Sequence, residues 1–450
     1  MESMPLTHRI SESLSPQRLA LRAGLATTLI AALWLVLVTH TVQAEEPVTS
    51  TIERSSSADL DEAVLLLASS EFSERQRGFL TLREAGIEAV DHLTGAASSS
   101  DAEVRHRALE LLCDLGLSPR DPTHLAEQAL AQLAEQSMGV TSRNAASALR
   151  RLQVAREDRA IEEIRRLGGT VNAQDHGRGP YSIQIRQGWL GGDEGVDHVV
   201  QLGNIQWLSL EGSDVTDAVL PKLAKIPEIK RLFLGSTKLS GGGLATLAPL
   251  VDLEYLSLKQ LPIDDRDLQE LPEFPKLMSL GLDFTEVTDA GLTKLPKFAM
   301  LDTLWLDATR VTDEGMLEVA KISTLRSLFM PATQVKGPGF SHLMKLASLR
   351  YLSLKGVQLD DVALQHLVGL ENIEILGLDH TNVTDKQIEQ LVGMTRLKTL
   401  WLSKTAVTDG AIESLSKIRS LQTVYLHGSE VSADGAERLR RELPGCHVSR

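Results

Sequence analysis

Apolar residues recur with a fixed period of 24 residues along the second half of the chain. At positions 4 and 6 of each unit, or rung, apolar residues such as Leu256 and Leu258 alternate with outward positions. This pattern predicts a short strand with two side chains pointing inward. Further apolar residues at three-residue spacing predict a return segment on the opposite side. Rungs 1 to 10 open at Ile205, Ile229, Leu253, Leu277, Leu301, Leu325, Leu349, Ile373, Leu397 and Leu421.

One such unit cannot bury its apolar face alone, so a period in the twenties is typical of a solenoid in which neighbouring rungs cover each other. Ten parallel strands spaced by about 4.8 Å would form a sheet roughly 45 Å long. Position 9 is Thr or Ser in eight rungs, and its hydroxyl is expected to satisfy the backbone of the turn after the strand. Thr-Asp pairs at positions 12 and 13, such as Thr288 and Asp289, predict an N-cap of the return segment. We expect the aspartates to be structural, because the glycine-rich calcium-binding repeat is missing from the sequence.

The pattern of the rung is clearest at Leu280, Leu282, Thr285, Val287, Thr288, Asp289, Leu292 and Leu295. It resembles a leucine-rich repeat of the 24-residue bacterial type, akin to the cysteine-containing subtype. The resemblance implies an α/β solenoid, a horseshoe with a parallel concave sheet and convex helices, built from ten leucine-rich repeats over residues 205–444. It does not identify what the array binds.

Before the repeats, the spacing of apolar residues changes to three and four, which predicts helices over residues 58–167. Ser100 and Glu103 fit the capping box that marks a helix start. The segments 72–77 and 101–112 resemble HEAT-type helical pairs. This second resemblance implies an all-α, HEAT-like region in front of the solenoid.

The ends of the repeat array must cover its core, and terminal repeats are atypical for that reason. Residues 168–204 are expected to form an N-terminal cap with an irregular first rung. Gly168-Gly169 should end the last helix, residues 172–180 are interpreted as a polar turn, and residues 181–185 are predicted to be the first strand. At the other end we expect a capping helix, followed by a tail at residues 445–450.

An uncharged apolar run extends from Ala23 to Val38, with three arginines before it and two glutamates shortly after it. This order predicts an export signal at residues 1–44, either a cleaved signal peptide or a membrane anchor formed by residues 23–44. The placement of the arginines puts the body of the protein outside the cytoplasm, as a periplasmic or secreted protein. Residues 45–57 are expected to be a linker.

The chain has 46 basic and 60 acidic residues and a formal net charge of −14, which disfavours nucleic acid as a partner. Its two cysteines, Cys113 and Cys446, are expected to be free thiols rather than a disulfide framework. The sequence has no nucleophile elbow, zinc-protease motif or phosphate-binding glycine loop, and its histidines are scattered. We therefore expect no enzymatic activity, no cofactor and no metal site.

Positions 3, 5 and 7 of the rungs point away from the core and form what we call the strand face. Aromatic residues are concentrated at positions 3 and 5, and acidic residues occur at position 7. Two interpretations remain open: the rings stabilise the sheet by cross-strand stacking, or they form an exposed binding surface. The candidate partner-binding residues are Trp207, Phe233, Tyr255, Asp283, Trp305, Asp307, Phe329, Tyr351, Asp379, Trp401 and Tyr425.

The main functional hypothesis is a non-enzymatic, exported module or scaffold that binds a protein partner on this face. One alternative is a carbohydrate-binding surface, with rings stacking on sugars and the aspartates accepting hydroxyl hydrogen bonds. Another is a substrate-recognition repeat similar to F-box leucine-rich proteins, although no F-box precedes the repeats. Asp283 and Asp307 lie on neighbouring rungs, expected about 5 Å apart, and such a spacing would also suit a retaining glycosidase.

Residues 229–324 and 325–420 align without a gap, and the position-5 series Phe-Ser-Gly-Trp occurs in both. A duplication of four rungs explains this echo without selection for function. Gly281 and Gly377 each precede a tryptophan rung. Either a notch opens there beside the indole, or the indole lies over the glycine.

Overall fold

The computed structural model describes residues 56–118, 121, 123–175 and 178–450. The predicted export signal at residues 1–44 and most of the predicted linker lie outside these residues. The chain divides into two compact units, of which the first ends at Ala145 and the second is Ala146–Arg450. No helix of the described residues is long and apolar enough to cross a membrane.

Helices dominate the part of the chain before the sheet, in the region where the sequence predicts them. They are short to medium in length, except for the last, which has 27 residues. These helices are α1 Ser57–Leu66, α2 Phe72–Ala85, α3 Val90–Ala96, α4 Ala102–Gly116, α5 Leu125–Gln136 and α6 Val140–Arg166, with a 3-10 turn at Gly86–Ala89.

Helix α4 shows how sequence sets these elements. Its buried residues include Val104, Ala108 and Leu112, which share one face at helical spacing. The N-cap is Asp101, whose carboxylate accepts the Glu103 N–H at 2.8 Å. The capping box predicted for Ser100 is therefore wrong by one residue, because the carboxylate supplies the stronger acceptor.

An antiparallel hairpin begins the sheet where the sequence analysis placed a polar turn. Strands β1 Thr170–Asp175 and β2 Arg178–Gln184 cover most of residues 172–180, so that prediction is wrong. Val171 and Tyr181 are buried in the core of the second unit, and the hairpin thereby covers the first rungs. Tyr181–Ile185, predicted as the first strand, lies largely within β2.

The remaining strands form one sheet with β1 and β2, in which the spatial order of all 13 strands follows the chain. From β2 onward every pair is parallel, and from β3 to β12 partners lie 24 residues apart, as in Leu280 opposite Leu304. The strands are β3 Ile205–Ser209, β4 Arg231–Phe233, β5 Tyr255–Ser257, β6 Ser279–Gly281, β7 Thr303–Trp305, β8 Ser327–Phe329, β9 Tyr351–Ser353, β10 Ile375–Gly377, β11 Thr399–Trp401, β12 Thr423–Tyr425 and β13 His447–Ser449.

The return segments are brief helical turns rather than long helices. Several are single turns of α-helix, and others are 3-10 turns. The α-helical ones are α7 Val196–Val200, α8 Leu220–Leu223, α9 Asp265–Glu270, α10 Met316–Val319, α11 Phe340–Leu343, α12 Ala363–Val368, α13 Asp385–Ile388 and α14 Ile412–Lys417. The 3-10 turns are Asp217–Val219, Leu244–Leu247, Gly291–Lys297, Asp313–Gly315, Glu389–Gly393 and Asp409–Ala411.

The C-terminal cap consists of helix α15, Ala433–Glu442, and strand β13. The helix is where the sequence predicts it, but the expected tail at residues 445–450 is wrong, because β13 pairs in parallel with β12. Val448 stands opposite Val424 and is 4 % exposed. The last strand thus extends the inner apolar column and closes the core.

The core is a continuous column of inward-facing side chains. Leucines at positions 4 and 6, such as Leu280 and Leu282, have no exposed surface. The predicted role of position 9 is confirmed in all eight rungs that have a hydroxyl: Thr285 Oγ1, for example, donates to the Leu282 carbonyl at 2.6 Å. The equivalent donors are Ser213, Thr237, Thr309, Thr333, Thr381, Thr405 and Ser429.

The recurrent aspartates at position 13 are structural, as predicted, but they act between rungs. One carboxylate oxygen of Asp289 accepts the Thr312 N–H at 2.8 Å, and the other accepts the Thr312 hydroxyl at 2.6 Å. Thr312 in turn caps its own return segment by accepting the Glu314 N–H. The same link joins Asp193 to Thr216, Asp265 to Thr288, Asp385 to Thr408 and Asp409 to Ser432.

Candidate functional site

The eight aromatic residues predicted on positions 3 and 5 of the strand face form one unbroken column, the aromatic ladder. Each ring lies against the next, with centroids 4.5 to 6.0 Å apart. The most parallel pair is Trp305 and Phe329, at an interplanar angle of 13°. In order, the ladder is Trp207, Phe233, Tyr255, Trp305, Phe329, Tyr351, Trp401 and Tyr425.

The ladder crosses two rungs that contribute no ring. Tyr255 reaches Trp305 at 5.8 Å across the rung of Gly281, and Tyr351 reaches Trp401 at 6.0 Å across the rung of Gly377. A Cβ added to Gly377 would lie 3.4 Å from the Trp401 ring. The indole therefore lies over this glycine, and no notch opens beside it.

The rings cover one another, so each is half-buried rather than exposed. Ser209, Ser257 and Ser353 at position 5 are buried at the same level of the sheet. The cross-strand stacking expected from the sequence is present and stabilises the sheet. Partner binding by these rings stays a prediction.

Beside the ladder runs the column of position 7, held by backbone hydrogen bonds. At position 8 each rung adopts a left-handed conformation, as at Phe284 with φ 55°. This turn directs the Phe284 N–H to the Asp307 carbonyl of the next rung at 2.7 Å. Successive position-7 side chains therefore project from a fixed backbone, which is why Asp283 and Asp307 are brought side by side.

The charges along position 7 are unevenly compensated. Lys259 forms an ion pair with Glu211 at 2.5 Å, two rungs away across Gly235. Asp283 Oδ1 accepts the Asp307 N–H at 3.3 Å. Asp379, the counterpart of Asp283 in the second block, accepts the backbone N–H of the next rung at 2.8 Å, and that rung carries Ser403 instead of an acid.

Asp283 and Asp307 form a carboxyl pair with unusual protonation. Burial, the negative charge of Asp283 and a hydrogen bond that protonated Asp307 donates to that carboxylate raise the pKa of Asp307 to about 7. Burial also raises the pKa of Asp283. The pair therefore holds a proton between its two carboxyls near neutral pH.

The same environment affects the neighbouring phenols. Burial, followed by the charge of Asp283, raises the pKa of Tyr255. Burial and then the charge of Asp379 raise the pKa of Tyr351. Both tyrosines consequently stay neutral and can donate a hydrogen bond at physiological pH.

Two polar atoms on the strand face lack a hydrogen-bond partner among the described residues. They are Oδ1 of Asp307 and Nε1 of Trp401, and both atoms are buried. Unsatisfied buried polar atoms are uncommon in folded proteins and call for a reason. Here both belong to residues that the sequence places in the candidate site.

Asp283 and Asp307 stand on neighbouring rungs, and the Asp307 N–H donates to Asp283 Oδ1 at 3.3 Å. The retaining-glycosidase hypothesis for this pair stays a prediction. Within the described residues, no group of three or more His, Cys, Asp or Glu side chains could hold a metal ion.

One residue of this region was missed from the sequence. Phe284 follows Asp283, and its side chain is 57 % exposed although it has a left-handed backbone. An aromatic residue is costly in both respects, because that backbone region disfavours large side chains and the ring gains little burial. The signal was available: position 8 is elsewhere glycine, alanine, serine, glutamine, histidine or lysine.

Comparison with known proteins shows distant likeness in structure only. No family model matches the sequence, and no curated protein matches it. Solved structures that resemble it include an internalin (inlF) from Listeria monocytogenes, at 18 % identity and a TM-score of 0.38, covering 57 % of this chain and 82 % of that one. A leucine-rich repeat protein, LIC12759, from Leptospira interrogans has 16 % identity and a TM-score of 0.36, covering 56 % and 80 %.

A plant example is the leucine-rich repeat ectodomain of the receptor kinase GASSHO1/SCHENGEN3 from Arabidopsis thaliana. It has 17 % identity and a TM-score of 0.39, covering 62 % of this chain and 39 % of that one. With scores this low, the fold assignment rests on the parallel register and the inward leucine column of this chain. The second unit is a leucine-rich repeat solenoid. The leucine-rich repeat array begins after the hairpin cap and ends at β13.

Proposed function

We propose that the protein is a non-enzymatic interaction module that binds a protein partner on the strand face of its leucine-rich repeats. The observation that carries this proposal is the aromatic ladder, which extends over the full length of the array from Trp207 to Tyr425. Aromatic side chains dominate the energetics of interfaces because they offer large, rigid contact areas.

The distribution of aromatic residues supports a binding role beyond sheet stability. Phe274, Phe298 and Phe340 fill the core, as an aromatic residue in a solenoid ordinarily would. The ladder instead keeps eight rings at the solvent boundary. The unpaired Nε1 of Trp401 and Oδ1 of Asp307 add polar groups that a partner could satisfy.

The test is a double substitution, Trp305→Ala with Trp401→Ala, in the full chain. Binding to the strand face should be lost, because the two largest rings of the central and C-terminal ladder are removed while the inward leucines are untouched. The control is Met300→Ala with Met344→Ala, which removes exposed apolar side chains outside the strand face. Binding is measured against immobilised partner peptides selected on the wild-type protein. Equal binding by the ladder variant and the control would refute the proposal.

The carbohydrate alternative makes a different prediction. Sugar-binding sites stack a ring face against the sugar, but each ring of the ladder already lies against a neighbouring ring. The geometry thus favours a protein partner. A glycan array probed with the purified protein separates the two, since strong ladder-dependent signals on glycans would favour a lectin.

We also propose a subtype for the repeats, a HEAT-like fold for the helical region and a location outside the cytoplasm. The 24-residue spacing supports the bacterial type of repeat, akin to the cysteine-containing subtype, and the paired helices of the first unit support a HEAT-like region. The apolar run after the N-terminal arginines supports export. Fusing residues 1–57 to alkaline phosphatase, which is active only outside the cytoplasm, tests export directly. An inactive, cytoplasmic fusion would contradict it.

A further inference from the structure

The proposed function does not specify the chemistry of the protein partner. The charges and rings of the strand face indicate which side chains that partner presents. We infer that the partner presents an extended segment along the aromatic ladder, with an arginine or lysine side chain seated at Asp283 and Asp307. This inference rests on the proposed function and adds the charge, the conformation and the register of the bound segment.

The charge argument starts from what surrounds the two aspartates. The nearest lysine on the N-terminal side, Lys259, is drawn to Glu211 at 2.5 Å. On the C-terminal side, Pro331 occupies position 7 of the next rung, and Lys355 follows only after it. The charges of Lys259 and Lys355 act on Asp283 and Asp307, but among the described residues neither lysine forms an ion pair with them. A basic side chain from a partner would add a direct counterion.

The hydrogen-bond argument concerns Asp307. Its Oδ1 is buried and has no donor in the described part of the chain, while the residue as a whole keeps some exposure. An arginine can donate to both carboxyls at once, because its guanidinium presents several N–H groups in a fixed plane.

Aromatic rings flank the same place and suit the same ligand. Tyr255 and Trp305 meet across the glycine rung at 5.8 Å, directly beside the position-7 column. Phe284, the residue that follows Asp283, adds a ring that is largely exposed. Cations are attracted to aromatic faces, and more strongly when they are desolvated.

The duplicated block shows that this arrangement occurs once. Asp379 corresponds to Asp283, but Ser403 stands where Asp307 does in the first block, and His380 replaces Phe284. The aromatic ladder continues through both blocks, whereas the carboxyl pair does not. A single basic side chain would therefore fix the register of a segment lying along the ladder.

The length of the ladder sets the length of the segment. Strands β3 to β12 span about 43 Å at about 4.8 Å per strand, which an extended peptide of about 12 or 13 residues would cover. The raised pKa of Asp307 makes binding depend on pH. The cation favours the doubly ionised pair, so below about pH 7 its binding releases the proton that Asp307 holds.

The test uses a phage library of random dodecapeptides, selected at pH 8 on the full chain. Selected peptides should share one arginine or lysine, and replacing it with glutamine should weaken binding by about tenfold or more. Asp307→Ser and Asp307→Asn should cause a similar loss, because each leaves only one carboxyl. The control is Asp214→Ser, which removes an exposed carboxylate outside positions 3, 5 and 7, and for which we expect less than about a threefold change. Binding of the selected peptide should also weaken by about tenfold between pH 8 and pH 6, as the pair takes up its proton.

The outcomes separate this inference from the proposed function. Selected peptides that lack a common basic residue, or that bind Asp307→Ser as tightly as the wild type, overturn the inference. If those same peptides still lose binding on Trp305→Ala with Trp401→Ala, the proposed function stands. If ladder substitutions have no effect, the proposed function fails too. Calorimetry with CaCl₂ alone gives a further check, because tight calcium binding that Asp307→Ser abolishes would make the pair a metal site and overturn the inference.

Discussion

Replacing Asp307 with serine should make the protein more stable at alkaline pH. Serine stands at the same position of the duplicated block, where the Ser403 N–H still donates to Asp379 at 2.8 Å. The backbone link from residue 307 to Asp283 can therefore survive the change. The carboxyl oxygen Oδ1 that serine removes has no hydrogen-bond partner among the described residues. What disappears is mainly the repulsion within the carboxyl pair.

The sign of the effect follows from the direction of the pKa shift. The pKa of Asp307 rises from 3.8 to about 7 on folding, so the folded state binds more protons than the unfolded state between these values. The wild-type free energy of unfolding therefore falls as pH rises from about 4 to about 7, and the loss is complete above that range. The serine variant lacks this loss.

The magnitude comes from the size of the shift and the exposure of the group. At 1.36 kcal/mol per pKa unit, the full shift would correspond to about 4 kcal/mol. Solvent screens a partly exposed carboxyl, so we expect about 1–2 kcal/mol. A change of this size moves the midpoint of thermal unfolding by about 2–6 °C in a domain of this length.

The assay is thermal and urea unfolding of wild type and Asp307→Ser at pH 4.5 and pH 8.5. The variant should gain little at pH 4.5 and about 1–2 kcal/mol at pH 8.5 relative to wild type. The reciprocal variant, Ser403→Asp, creates a carboxyl pair in the second block and should lose stability specifically at pH 8.5. A difference between Asp307→Ser and wild type that is the same at both pH values would show that the reasoning about the pair is mistaken.

Three further substitutions test other parts of the structure. Gly291→Ala should lower the free energy of unfolding in urea by about 1–3 kcal/mol, because a Cβ there would lie 2.5 Å from Asp265 Oδ1. The control is Gly242→Ala, whose Cβ would meet no atom closer than 3.7 Å. An equal loss of stability in the two variants would contradict the argument. Thr285→Val should cost about 1 kcal/mol by leaving a buried carbonyl without its hydroxyl donor, and an unchanged unfolding midpoint would speak against that role. Phe284→Gly should raise the free energy of unfolding by about 1 kcal/mol, since glycine suits the left-handed backbone. The same change should weaken binding of the selected peptides. A loss of stability would show that the ring supports the fold.

The solenoid was predictable because its signal is repeated. Any one inward leucine, such as Leu304, says little alone, but ten rungs in register determine the strands, the parallel sheet and the hydroxyl of position 9. The links from Asp289 to Thr312 escaped prediction because both residues also fit a local N-cap, and sequence spacing does not show contacts between rungs. The hairpin over residues 170–184 was missed for a related reason. It is a single, unrepeated element, and the polar residues between Val171 and Tyr181 have a composition that is typical of turns.

The candidate site was predictable only in part. The sequence placed Trp305 and Asp307 on the same face, because strand positions alternate strictly. It did not show that rings would meet across Gly281, or that two neighbouring carboxyls would share a proton, since both depend on side-chain packing and burial. Phe284 stands out in the sequence only by comparison with the small or polar residues at position 8 of the other rungs. It was missed because the left-handed backbone of that position is not visible in the sequence.

The register of 24 residues between parallel strands has a consequence for how this protein can change in length. Each rung forms its hydrogen bonds with the next rung through the same backbone positions, whichever rung that is. Removing residues 325–420 would therefore seat the last rung on rung 5 without any shift in pairing. Trp305 would then meet Tyr425 as Trp401 does now. A gain or loss of a four-rung block therefore lengthens or shortens the strand face in one genetic step.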